Sequence, residues 1–139
     1  MHNGSMSTGS IQLLDAGECR ELLRVGSVAR IAFQRDGRLE LLPVNYVYDT
    51  DIIVVRTNED SPVVSIVDRD FVLEADHHDD TYQVGWSVLV RGTASRMSDE
   101  ELAEYEGRVP RSWAGGDDPV HLAIVPHELT GRRARAFPR

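Results

Sequence analysis

One cysteine, Cys19, stands in 139 residues. A single thiol excludes an internal disulfide and any multi-cysteine zinc or iron–sulfur site, and it argues for a reducing compartment. No apolar run approaches the roughly 20 residues that a membrane-spanning helix needs. The longest uncharged apolar pieces, such as Ile52–Val55 and Ser87–Val90, have the length of strands. Met1-His2-Asn3-Gly4-Ser5 has no apolar core and does not read as a secretory signal. There is no Gly-x-Gly-x-x-Gly, no phosphate-cradling Gly-x-x-x-x-Gly-Lys and no Gly-x-Ser-x-Gly nucleophile elbow. Basic residues are outnumbered 15 to 23, leaving a net charge of −8. A chain this acidic repels nucleic-acid backbones and anionic membranes, so neither is expected as a partner. The expected location is the cytoplasm.

What is present is the material of one small domain. The hydrophobic fraction of 41% and the charged fraction of 27% are ordinary for a soluble globule. A chain of this length can bury roughly two-thirds of its unfolded surface. Met1–Ser10 is rich in Ser and Gly and lacks periodicity. It reads as a disordered leader, with Met1–Ser5 an expression remnant ahead of a native Met6, and residues 11–139 as the domain. Arg132, Arg133, Arg135 and Arg139 crowd the C-terminus, while acid gathers in Glu74–Asp80 and Ser98–Glu106. The basic tail reads as an exposed solubilising end, with a phosphate contact as the alternative.

The spacing predicts a helix from about Ala16 to Val25. Asp15 is the N-cap candidate, Glu18 completes an acidic capping box, and Gly26 is the stop. Cys19, Leu22 and Leu23 form its apolar stripe, so Cys19 reads as packing rather than chemistry. Ser27–Phe33 and Leu39–Tyr48 flank Asp36-Gly37, the strongest hairpin signal in the chain. After a turn at Asp49–Asp51, Ile52–Thr57 is almost wholly apolar, which predicts burial on both faces. Ser61 can cap a short helix with Pro62 at its first position. Phe71–Ala75 and Gln83–Met97 read as strands, with an acidic loop at Asp76–Thr81 between them and a bulge near Gly92. Ser98 and Glu101 form a second capping box, for a helix running to about Glu106. Gly107–Pro119, carrying Trp113, reads as a loop. Val120–Val125 and Leu129–Ala134 supply the last strand material, interrupted at Pro126. Hairpins dominate and regular βαβ alternation is absent, which predicts an antiparallel barrel of about six strands with short peripheral helices.

Three segments could serve one ligand. Arg56-Thr57 ends the buried strand, and Ser61 follows at a helix start. A guanidinium, two hydroxyls and free helical N–H groups suit a phosphate, although a capped helix beside a surface arginine is the plainer reading. In Pro43-Val44-Asn45-Tyr46 a proline interrupts a strand ladder and leaves backbone groups for a planar ligand edge. In Trp86-Ser87-Val88-Leu89-Val90-Arg91-Gly92 a Trp and a Ser occupy opposite faces of one strand. His77 and His78 are adjacent and point apart on a strand, so no metal site is expected. His121 and His127 are isolated, and no catalytic role is assigned to them or to any other residue.

In this order, the segments resemble the flavin-binding split-barrel proteins related to pyridoxamine 5′-phosphate oxidase, in their small actinobacterial branch. The landmarks are Asp15–Glu18 with Leu22-Leu23, Gly26–Phe33, Leu42–Tyr46, Val55-Arg56-Thr57, Gly85–Gly92, Ile124-Val125-Pro126 and Leu129–Arg133. The resemblance implies a mainly β, six-stranded antiparallel split barrel, a homodimer, and FMN in a cleft between subunits. It implies that Arg56, Thr57 and Ser61 meet the phosphate and ribityl chain. Pro43, Val44, Asn45 and Tyr46 would line the isoalloxazine edge through backbone groups, and Trp86 and Ser87 would close the same pocket. The Trp113 loop would reach across the dimer. The oxidase itself is longer, and its C-terminal arginine-containing substrate motif has no counterpart placed here, so the resemblance implies the scaffold rather than that activity.

One position departs from the family. Where relatives carry a lysine after the Ser or Thr, this chain has Pro62. Losing a charge-assisted contact of about 1.5–3 kcal/mol would weaken FMN roughly 10- to 150-fold. Three functions therefore stand: flavin-mediated hydride or electron transfer on a small molecule, a deazaflavin-dependent reductase on the same scaffold, and a non-catalytic module that binds cofactor weakly.

Overall fold

The computed structural model describes residues 9–105, 110 and 118–136. The strands are β1 Gly9–Leu14, β2 Val28–Arg35, β3 Arg38–Asp49, β4 Ile52–Asn58, β5 Phe71–Asp79, β6 Val84–Arg96 and β7 Pro119–Ala136. The helices are α1 Ala16–Val25, α2 Asp99–Ala103 and a 3-10 helix at Pro62–Ile66. All strand pairings are antiparallel. Neighbours run β7-β4-β3-β2-β5-β6, and β6 returns to β7, so six strands close on themselves. The fold is the expected split barrel with one strand added, because β1 lies along the far end of β7 from Gly131 to Ala136.

That seventh strand corrects the sequence reading of the leader. Gly9 and Ser10 pair with Ala136 and Arg135. Their Ser/Gly composition carries no strand signal, but the exposed edge of β7 supplies hydrogen-bonding partners that local sequence cannot display. The same reasoning lengthens β5. Asp76, His77 and His78, read as a loop, pair with Ser87, Trp86 and Gly85 of β6. β7 likewise passes through Pro126 without ending. Between β6 and β7 the register jumps from Arg91↔Glu128 to Gly92↔Pro126, so His127 is the extra residue of the bulge expected at Gly92. A proline is tolerated at a bulge, where a ladder N–H is not required.

Alternation builds the core. Ala29, Ile31 and Phe33 of β2 face inward with Val44, Tyr46 and Tyr48 of β3, Leu73 and Ala75 of β5, Val88 and Val90 of β6, and Leu122 and Ile124 of β7. Ile53, Val54 and Val55 are all fully buried, so β4 is covered on both faces, as its apolar run predicts. α1 has the expected span and the expected Asp15–Glu18 capping box, and it buries Cys19 and Leu23. Burial pushes the Cys19 thiol above its usual value, consistent with a packing role. The Tyr46 hydroxyl donates to the Leu23 carbonyl at 2.8 Å and ties the end of α1 to the barrel. Burial drives that phenol up to about 12.

Two two-residue hairpin turns use left-handed backbone at both positions. Asp36-Gly37 has φ of 53° and 76°, the pattern of a type I′ turn. Thr50 and Asp51 have φ of 53° and 62° without a glycine. Asp51 is held there: it accepts from the Tyr48 hydroxyl at 2.6 Å and pairs with Arg20 at 3.1 Å. Thr50 is β-branched, and its side-chain bond is to the neighbouring Asp49 at 3.0 Å. Thr50→Gly should therefore stabilise the fold by about 1 kcal/mol through relief of left-handed strain, measured as a higher urea midpoint at unchanged slope.

Candidate functional site

The barrel opens where the β3–β4 ladder ends. Pairing runs from Asp49↔Ile52 to Asn45↔Arg56 and stops. Beyond that point β3 stays with β2, through Pro43↔Arg30 and Val44↔Ala29. β4 stays with β7, through Thr57↔Val120 and Asn58↔Pro119. The two strands part, and the Ser61 cap and 3-10 helix lie at the foot of the gap. A cavity of about 400 Å³ occupies it. That volume falls within the range of small-molecule sites.

Six of the nine residues selected from sequence line this cavity: Pro43, Val44 and Asn45 of β3, Arg56 and Thr57 of β4, and Ser61. Val28, Leu42 and Val63 supply apolar wall. The Tyr46 N–H donates to the Ser27 carbonyl on the β2 side at 3.0 Å. Strand alternation then turns the backbone groups of Pro43 to the opposite, open side. Proline's missing N–H therefore costs no ladder bond, and its carbonyl faces the gap.

The polar end has a cation with spare capacity. The Arg56 Nε is buried and makes no hydrogen bond among the described residues. Thr57 is buried beside it, only 8% exposed. The Ser61 hydroxyl accepts the Val63 N–H at 3.2 Å, which leaves its own proton free to donate. Pro62 sits at the first helical position, half-buried, and is not part of the cavity wall. Every one of the 15 basic residues is arginine, so no lysine elsewhere in the chain can replace the one missing at this position.

Three selected residues lie elsewhere. Tyr46 is 1% exposed, and its side chain belongs to the core and to the α1 contact described above. Trp86 and Ser87 line a second, more open recess of about 370 Å³ on the β5–β6–β7 face, with Asp76, His78 and Arg132. In that recess Asp76, Ser87 and Arg132 are aligned across three strands. The Trp113 loop lies outside the described residues.

One residue near the cavity carries no functional signal in the sequence. His121 is the β7 register partner of Arg56, and its Nε2 is buried without a hydrogen-bond partner. Burial and the Arg56 charge both lower its pKa from the usual histidine value. An isolated His in sequence carries no signal of a cross-strand neighbour 65 positions away; only the β4–β7 register reveals it.

A closed six-stranded barrel, split beside a cation-bearing cavity, defines a split-barrel binding protein. The family model for pyridoxamine 5′-phosphate oxidase matches residues 15–133, and the chain belongs to that family. It is 32% identical over 133 residues to an uncharacterized protein of Mycobacterium tuberculosis, covering 91% of this chain and 87% of that one. Among solved structures it is similar to a candidate pyridoxamine 5′-phosphate oxidase from Corynebacterium glutamicum. That likeness has a TM-score of 0.76 and 28% identity, over 100% of this chain and 99% of the other. It is also similar to an FAD-binding protein from Mycobacterium smegmatis, with a TM-score of 0.69 and 30% identity, over 89% of this chain and 98% of the other. Among the described residues no helix is long and apolar enough to cross a membrane.

Proposed function

We propose that the protein binds a flavin, FMN in the first instance, and serves flavin-mediated hydride or electron transfer on a small molecule. The observation that carries this reading is the polarity of the split. One end presents Arg56, Thr57 and Ser61, which suit a phosphate and a ribityl chain. The other presents the open edge of β3 at Leu42–Val44 among apolar side chains, which suits a planar ring. The buried, unbonded Arg56 Nε fits an anionic group that completes its bonding. A bound flavin would supply the redox chemistry, and the chain would supply binding, orientation and exclusion of water. The likeness to an FAD-binding protein supports a flavin without choosing between mono- and dinucleotide.

The expected assembly is a symmetric homodimer. The cavity and the Trp86–Ser87 recess are separate in one protomer, and a two-fold contact that sets the recess of one copy against the cavity of the other would unite them. Leu13, Leu41 and Leu89 stand 75%, 63% and 40% exposed on the sheet surface, and a subunit contact would cover them. Sedimentation at micromolar concentration should give a dimer, burying more than about 2,000 Å². A monomer would overturn this assembly.

The visible spectrum of protein purified without added cofactor tests the cofactor. Flavin bands, or quenching of added FMN, support the proposal. A colourless protein that binds only deazaflavin would move the chemistry to that cofactor, and one that binds neither would leave a barrel with some other ligand.

A further inference from the structure

The Arg56–His121 pair presents two buried nitrogens on adjacent strands, both without hydrogen bonds. Arg56 on β4 and His121 on β7 are register partners, and Arg56 lines the cavity. The Nε of one and the Nε2 of the other are buried, and among the described residues they are bonded neither to each other nor to any third group. Buried polar atoms in this condition mark a site that a further group completes.

We propose that Arg56 and His121 form one anion site in which binding is coupled to a proton: an anion held by Arg56 is taken up together with a proton on His121. The physical basis is reciprocal. The field of Arg56 disfavours a second positive charge on the imidazole. An anion on the guanidinium cancels that field and makes protonation of His121 easier. The proton comes from solvent, and protonation turns both ring nitrogens into donors. Whatever the anion does to the proton, the proton does equally to the anion. The inference concerns the site proposed for flavin and rests on that reading only for the identity of the anion, the ligand's phosphate.

Among the described residues the other charged groups near His121 are few. The Met97 N–H bonds the His121 carbonyl, which brings β6 and the start of α2 close. Arg96 of β6 is bound by Glu59, at 2.6 and 2.8 Å. Asp118 precedes β7, and Asp99, Glu100 and Glu101 form the exposed first turn of α2. Among the described residues only Arg56 exerts a resolved charge effect on His121. The sign follows. Free His121 titrates below the usual histidine value, and the anion raises it. Anion affinity should therefore grow as pH falls through the bound-state pKa and level off below the free-state pKa. The steepest possible slope is about tenfold per pH unit, for one proton.

The test follows the His121 ring by NMR from pH 5 to pH 8, in chloride and in sulfate, a probe that does not titrate in this range. The His121 pKa is expected to rise in sulfate. In Arg56→Gln it is expected to be higher than in the parent without any anion, and to ignore sulfate. His121→Gln should keep sulfate binding, read from the Arg56 side-chain resonance, but lose its pH dependence. An unchanged His121 pKa in sulfate, or in Arg56→Gln, overturns the coupling. FMN titration of the same proteins separates the two readings. If sulfate moves His121 but FMN does not bind, the flavin reading fails and the coupled anion site stands. If FMN binds with the same pH dependence in His121→Gln as in the parent, the coupling fails and the flavin reading stands.

Discussion

Gly92→Ala should destabilise the barrel by about 3 kcal/mol, the upper end of what overpacking costs. A Cβ at position 92 would collide with the Val125 carbonyl oxygen and stand 3.1 Å from the Pro126 Cα. Both obstacles are backbone, so no side-chain rotation relieves them. They belong to the strand that closes the barrel, at the point where its register to β6 shifts. Relief would require moving the bulge, and the bulge fixes how both halves of β7 pair. At this chain length such a loss corresponds to a fall in Tm of roughly 10 °C. Gly37→Ala is the informative control. Gly37 has φ of 76° but nothing within 4 Å of its missing Cβ, so it carries the conformational penalty alone, about 1 kcal/mol. If the two variants melt together, the close approach at Gly92 relaxes freely and the bulge is not a structural constraint.

Gly92 also illustrates what sequence could disclose about the fold. A glycine inside a long alternating strand signals a bulge or a close backbone approach, and both occur there. The capping boxes at Asp15 and Ser98 and the Asp36-Gly37 turn are equally local, and each lies where its chemistry predicts. The misses are non-local. β1 exists because β7 offers an edge, and the outer part of β5 exists because β6 runs beside it. Neither Gly9-Ser10 nor Asp76-His77-His78 contains a strand signal of its own.

The candidate site divides in the same way. Pro43–Asn45, Arg56-Thr57 and Ser61 were legible as short motifs, and the end of the β3–β4 ladder brings all six residues to one cavity. Tyr46 shares the inward face of β3 with Val44 but lies where β3 is paired with β4, beyond the gap, so its ring packs in the core. Trp86 and Ser87 sit on the strand opposite β3 in the barrel, with β2 and β5 between them on one side, a separation that linear order conceals. His121 was illegible because its significance lies in a register, not in a neighbour.

Arg56→Ala should weaken flavin binding about 30-fold or more, the equivalent of about 2 kcal/mol. Among the described residues Arg56 is the one cation in the cavity wall, and its Nε is buried without a bond to any of them, so a phosphate there would gain a charge-assisted contact that no other described wall residue supplies. The relatives' lysine position is Pro62, and the chain holds no lysine to substitute. Three comparisons isolate the phosphate as the cause. Riboflavin, which lacks it, should bind the parent and the variant alike. Arg56→Lys should retain part of the affinity, because a point charge remains while the guanidinium's second N–H is lost. Arg69→Ala should leave affinity unchanged, since Arg69 is exposed and does not line the cavity. The difference between parent and Arg56→Ala should narrow as salt is raised, because an ionic contact at an open cavity is screened. Fluorescence quenching of FMN and riboflavin at low and high salt measures all of these. If Arg56→Ala weakens riboflavin as much as FMN, Arg56 supports the shape of the cavity rather than the phosphate. If neither affinity changes, the phosphate is held elsewhere, and the exposed arginines Arg132 and Arg135 of β7 become the next positions to replace.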